Sequence, residues 1–75
     1  MESRTVYFIQ HTEYDEKGWI PCIAKEGEFG FYRTNWHWNC TFEKAESICD
    51  EKNELLGISK KESIKIVLST MQLVV

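Results

Sequence analysis

The chain has 75 residues, a formal net charge of -3, and 43% hydrophobic and 13% aromatic residues. That length allows one domain with a modest core, and the composition is too apolar for an intrinsically disordered chain. The acidic balance argues against direct nucleic-acid binding, which needs a basic footprint to release counterions from phosphate. The three Cys are odd in number and follow no secreted spacing, so reduced thiols are expected rather than a disulfide framework. The start MESRTVYFIQ lacks a long apolar run behind a basic residue, and the terminal QLVV is far too short to span a bilayer. A cytoplasmic protein without membrane contact is the expectation. Three Trp, three Tyr and four Phe carry more bulk than one small core easily hides, which favours self-association, with a homodimer the simplest form.

Arg4–His11 (RTVYFIQH) is rich in β-branched and aromatic residues and predicts a first strand. Val6 and Phe8 point one way and Tyr7, Ile9 and His11 the other. Apolar groups on both faces place this strand at the sheet centre or at a subunit contact. Thr12–Gly18 reads as a hairpin loop. Trp19–Lys25 (WIPCIAK) predicts a second strand, which Pro21 demotes to an edge or a bulge because it has no ladder donor. Glu26–Gly30 is a second turn. Phe31–Cys40 (FYRTNWHWNC) predicts a third strand with clean alternation. Tyr32, Thr34, Trp36, Trp38 and Cys40 share the face expected to meet the helices; Arg33, Asn35, His37 and Asn39 share the other.

Thr41–Gly57 predicts a complete amphipathic helix. Thr41 is a good N-cap, Glu43 suits the positive end of the helix dipole, and Gly57 supplies the left-handed C′ position. Phe42, Ala45, Ile48, Cys49, Leu55 and Leu56 form an apolar stripe expected to cover Trp36 and Trp38. Glu43, Glu46, Asp50 and Glu54 fall opposite, and Lys52 has to snorkel from the apolar side. Ser59-Lys60-Lys61-Glu62 is a capping box that starts a second helix. Ile64, Val67, Leu68 and Met71 share its apolar face, Ile66 and Leu73 point away, and Gln72–Val75 extends it. Strands followed by helices predict an α+β domain over residues 1–75: a three-stranded antiparallel sheet, then two helices packed on one face.

The second half also resembles a type of small uncharacterised protein encoded by phages and mobile elements of Gram-positive bacteria. An extended aromatic segment runs into T-F-E-K-A-E (Thr41–Glu46), then C-D-E-K-N-E-L-L-G-I-S (Cys49–Ser59), then I-V-L-S-T-M (Ile66–Met71). The resemblance covers about half the chain and carries no catalytic residues. It implies a short accessory protein acting on a host or defence factor.

No metal, cofactor or catalytic site is expected. His37 and Cys40 face opposite sides of a strand, no CxxC or HxxxH pair exists, and Cys22, Cys40 and Cys49 fit as small buried hydrophobes. A thiol enzyme would need a histidine beside Cys22 or Cys40, and there is no nucleophile elbow or phosphate loop. The face bearing Arg33, Asn35, His37 and Asn39, with Tyr7 and His11 beside it, is a candidate ligand or partner surface: arginine for phosphate, an aromatic for a base. The plainer reading is a solvated outer strand face, where polar residues in a period-2 pattern usually sit. The carboxylates Glu43, Glu46, Asp50 and Glu54 are either a solvated helix face or a dock for a basic partner. Two functional expectations follow. One is a non-enzymatic, self-associating inhibitor or modulator of a host or defence protein; the other is a protein that binds or sequesters a nucleotide.

Overall fold

The computed structural model describes residues 4–71. In chain order its elements are β1 (Thr5–Phe8), β2 (Tyr14–Asp15), β3 (Gly18–Trp19), β4 (Cys22–Lys25), β5 (Tyr32–Arg33), α1 (Phe42–Leu55) and α2 (Lys60–Met71). The architecture is α+β. A three-stranded antiparallel sheet runs in the order β1-β4-β5, β2 and β3 form a separate two-stranded ribbon, and the helices follow. The β1–β4 register pairs Val6 with Ala24 and Phe8 with Cys22.

Several local expectations change. The segment 12–18 is more than a loop, since Tyr14 and Asp15 pair with Trp19 and Gly18. The Asp15 carboxylate accepts the Lys17 N–H at 2.8 Å and tightens that turn. Gly18 has φ 125°, and a Cβ there would lie 2.5 Å from the Trp38 carbonyl oxygen, so only glycine fits. The strand after Pro21 is central rather than an edge. Pro21 stands just ahead of the first ladder residue, so its missing N–H forgoes only the return bond to Thr34 at the end of the ladder. Its carbonyl accepts the Thr34 N–H at 3.0 Å and the Thr34 hydroxyl at 2.9 Å. Conversely, β1 is an edge strand, not the central one.

The third strand shrinks most. Only Tyr32 and Arg33 of Phe31–Cys40 pair with β4; beyond Thr34 the chain leaves the sheet, and Trp38 returns to exchange backbone bonds with Trp19. The expected period-2 face therefore breaks up. Trp38 and Cys40 pack beside α1, whereas Tyr32 and Trp36 are exposed.

Among the described residues the core has two parts. Val6 packs with Ile58 and Ile66, with Val67 alongside. Ile9, Ala45 and Cys49 form the other, bordered by Tyr7, Trp19, Trp38, Cys40 and Phe42. Burial of a side chain the size of Val6 or Ile66 contributes about 1.5–3 kcal/mol. Ile9 and Tyr7 are thus part of the core rather than an open outer face.

The helix ends follow the residues that encode them. The Thr41 hydroxyl accepts the Lys44 N–H at 3.1 Å, Gly57 has φ 80°, and the Ser59 hydroxyl accepts the Glu62 N–H at 3.2 Å. The buried faces follow the expected stripes only in part, with Phe42, Ala45, Cys49 and Val67 on or against the core. α1 buries Ala45, Cys49 and Asn53, and leaves Leu55 and Leu56 outside. α2 buries Ser63, Ile66 and Thr70, and leaves Ile64 and Leu68 outside. Ile66, expected to point away, is core. Ser63 and Thr70 tolerate burial because their hydroxyls donate to the Lys60 and Val67 carbonyls, both at 2.8 Å. Leu73 and the extension Gln72–Val75 lie outside the described residues.

Candidate interaction surfaces

α1 borders two very different surfaces. The first is the outer edge of β1. Asn53, 1% exposed, aims its carboxamide at Tyr7: its Oδ1 accepts the Tyr7 N–H at 2.8 Å, and its Nδ2 donates to the Tyr7 carbonyl at 2.9 Å. One side chain thus supplies the donor and the acceptor that a neighbouring strand would have offered. The edge is closed at its middle without another strand. Turning Asn53 inward also sets the helix rotation. Leu55 lies two positions on, about 200° around the helix, and is carried to the opposite side.

The second surface is a groove of about 200 Å³ between α1 and α2. Phe8 and Ile9 form its floor, Glu46 and Asp50 stand on the α1 side, and Ile64, Val67 and Leu68 on the α2 side. Lys60 reaches across, 3.1 Å from the Asp50 carboxylate and 3.9 Å from Glu46. Its ammonium is held above the ordinary lysine value, first by the hydrogen bond to Asp50. One wall is therefore apolar and the other carboxylate-rich.

On the other flank of α1, the Lys52 ammonium lies 5.8 Å from the Tyr7 ring centre and 5.5 Å from that of Trp36. Those two rings stack with centroids 6.1 Å apart. Lys52 thus snorkels as its position predicts, over aromatic faces that attract a cation. Leu55 follows Lys52 at i+3 and shares this flank.

The six residues of the candidate sheet face go to separate places. Tyr7 lies under Lys52 and against Trp36. His11 stacks on Phe42 at 3.8 Å and meets Trp19 edge-on. Arg33 pairs with Glu13 and His37 Nε2 with Asp15, each at 3.1 Å, so both pin the β2–β3 ribbon. The Lys17 amide, with a contribution from His37, holds the Asp15 carboxyl below its ordinary value. Asn35 and Asn39 are exposed, without a side-chain hydrogen bond among the described residues. Of the acidic stripe, Glu46 and Asp50 line the groove, while Glu43 and Glu54 are exposed and unpaired among the described residues.

Cys22 and Cys49 are free and buried, and burial pushes their thiols up to about 11 and about 12. They are protonated at neutral pH and poor nucleophiles. Cys40 is half-buried and free. Among the described residues, no group of three or more His, Cys, Asp or Glu converges as a metal site would require, and no helix is long and apolar enough to cross a membrane. Comparison with protein-family models, curated proteins and solved structures finds no match.

Sequence reasoning did not anticipate Asn53 as an edge closure, nor Leu55, Leu56, Ile64 and Leu68 as outward residues. One signal was present. Ser63 and Thr70, seven apart with Ile66 between them, mark a narrow stripe of mostly small residues that allows close approach to a sheet.

Proposed function

We propose that this chain is a non-enzymatic interaction protein that associates with itself and binds another protein, which it inhibits or modulates. The resemblance to phage and mobile-element proteins points to a host or defence protein in a bacterial cytoplasm as the target. One observation carries the reading. Leu55 is 87% exposed, Leu56 54%, Ile64 50% and Leu68 54%, although helical periodicity places all four at core positions. Apart from Ile66 and the partly buried Val67, the inward sides of the two helices carry mainly small and polar residues, and these four aliphatic side chains turn to the surface. Ile64 and Leu68 lie side by side along the groove, and adjacent apolar exposure of this kind marks contact with another protein. The raised thiols of Cys22 and Cys49 speak against a thiol enzyme at those positions. The nucleotide reading has less support, because Arg33, its phosphate ligand, is already engaged by Glu13.

The test is affinity capture from bacterial lysate, with mass spectrometry of what is retained. Three baits are compared: the wild type, L55D/L56D and I64D/L68D. The expected result is a protein held by the wild type and lost from at least one variant. Equal retention on all three baits overturns the reading.

A further inference from the structure

Building on the self-association part of that reading, we propose that the α1–α2 groove is a homodimer interface. A second copy seats its own α2 in the groove, about a two-fold axis that runs along the groove.

The chain itself carries a segment that fits. Lys61, Ile64, Lys65 and Leu68 follow one another on α2 at i, i+3, i+4 and i+7, and all four are exposed. They make an aliphatic ridge with a lysine border. The groove presents the complement, an aliphatic wall at Ile64, Val67 and Leu68 facing a carboxylate wall at Glu46 and Asp50. Glu43 and Glu54 extend that wall along α1. Among the described residues, Lys61, Lys65, Glu43 and Glu54 take part in no ion pair. Both charge sets are thus left over within one copy.

Symmetry selects the arrangement. A two-fold interface brings the same patch of both copies together. An axis across the groove would stack α1 on α1, carboxylates against carboxylates. An axis along the groove sets each α1 opposite the partner's α2. The lysine border then meets the carboxylate wall twice, and the aliphatic ridges of both copies meet at the axis. Opposed like charges disfavour the first arrangement, and matched charges favour the second.

Sedimentation equilibrium from low to high micromolar concentration tests this. The wild type is expected to dimerise, and I64D/L68D to weaken the dimer at least about 100-fold by placing carboxylates in the shared ridge. K61E/K65E and E43K/E54K each weaken it about tenfold when alone, and an equimolar mixture restores a mixed dimer because both contacts become complementary again. All these positions are exposed, so circular dichroism should report an unchanged fold; the surface charge swap stays informative even if I64D/L68D unfolds. A wild type that remains monomeric overturns the proposal, as does a dimer indifferent to I64D/L68D or charge variants that do not pair on mixing. These failures are separable from failure of the wider reading. A monomer whose lysate partner is lost with I64D/L68D removes the two-copy interface and leaves the interaction function standing.

Discussion

The outer edge of β1 and the groove beside α2 share one helix, yet they are finished in opposite ways. The edge is closed inside the chain by Asn53, which satisfies both backbone groups of Tyr7. The groove is left open, with Ile64 and Leu68 half-exposed. The difference follows from what each surface costs when unpartnered. A buried N–H or C=O without a partner costs about 1–3 kcal/mol, a large part of a small domain's stability. An aliphatic side chain half in water costs little beyond forgone burial, and exposed apolar atoms are ordinary on protein surfaces. A chain of this size has to settle its polar debts internally but can keep apolar surface for a partner.

The sharpest way to break that contrast is Asn53→Ala. It leaves the Tyr7 N–H and carbonyl unmatched at a buried position, and unfolding by urea should show a loss of about 2–4 kcal/mol. A loss under about 0.5 kcal/mol would mean that water serves the edge equally well.

Alkaline pH probes the closed interior. Cys22 and Cys49 are raised from an ordinary value near 9 to about 11 and about 12 by burial. A raised folded value means that the native state holds the proton longer. Their contribution is therefore fully present below about pH 9 and declines as pH rises toward the folded values. Thiol reagents at pH 8 should modify Cys22 and Cys49 only after unfolding, which peptide mapping can follow. Rapid labelling of either in the native protein would contradict their burial.

Trp36→Ala removes the outer partner of Lys52 and Tyr7. A loss of about 1 kcal/mol is expected, the scale of an exposed cation–π contact plus some ring packing. On the groove side, I64D/L68D should change the unfolding free energy of the dissociated monomer by no more than about 0.5 kcal/mol, as substitutions at exposed sites usually do. A loss as large as that of Asn53→Ala would place those residues in the core after all.

The smallest expected effect is at acid pH. Arg4 holds both Glu26 and Glu62 below the ordinary carboxylate value, by side-chain hydrogen bonds first. A depressed folded value stabilises above the unfolded value and is lost as pH falls through the folded one. Stability should therefore drop below about pH 4.5, and Arg4→Gln should flatten that drop in urea titrations across pH. All three groups are well exposed, so screening by water and salt keeps the contribution small.

Much of the framework was legible in the sequence because it is set by local chemistry. Thr41, Gly57 and the Ser59–Glu62 box fix helix ends through hydrogen bonds or φ values that involve only near neighbours. The Lys52 position follows from helical spacing, whereas centre and edge of the sheet were exchanged, since β4 and not β1 takes the middle. Legibility stopped at the candidate surfaces. Tyr7 could be singled out by its alternation, but the split of His11, Arg33 and His37 among Phe42, Glu13 and Asp15 depends on where the 12–19 ribbon folds.

Composition, caps and periodicity by themselves determined that this chain forms an α+β domain with two capped helices and more apolar surface than it needs. Only the tertiary structure decided which side of each helix turns inward. A broad apolar stripe permits several rotations of nearly equal hydrophobic gain. On α1 the choice fell to directional bonds, with Asn53 meeting the free edge of β1; on α2, Ser63 and Thr70 can face inward because their hydroxyls are satisfied on their own helix. The Asn53 bonds turned Leu55 outward, because hydrogen bonds demand a specific geometry and the hydrophobic effect does not.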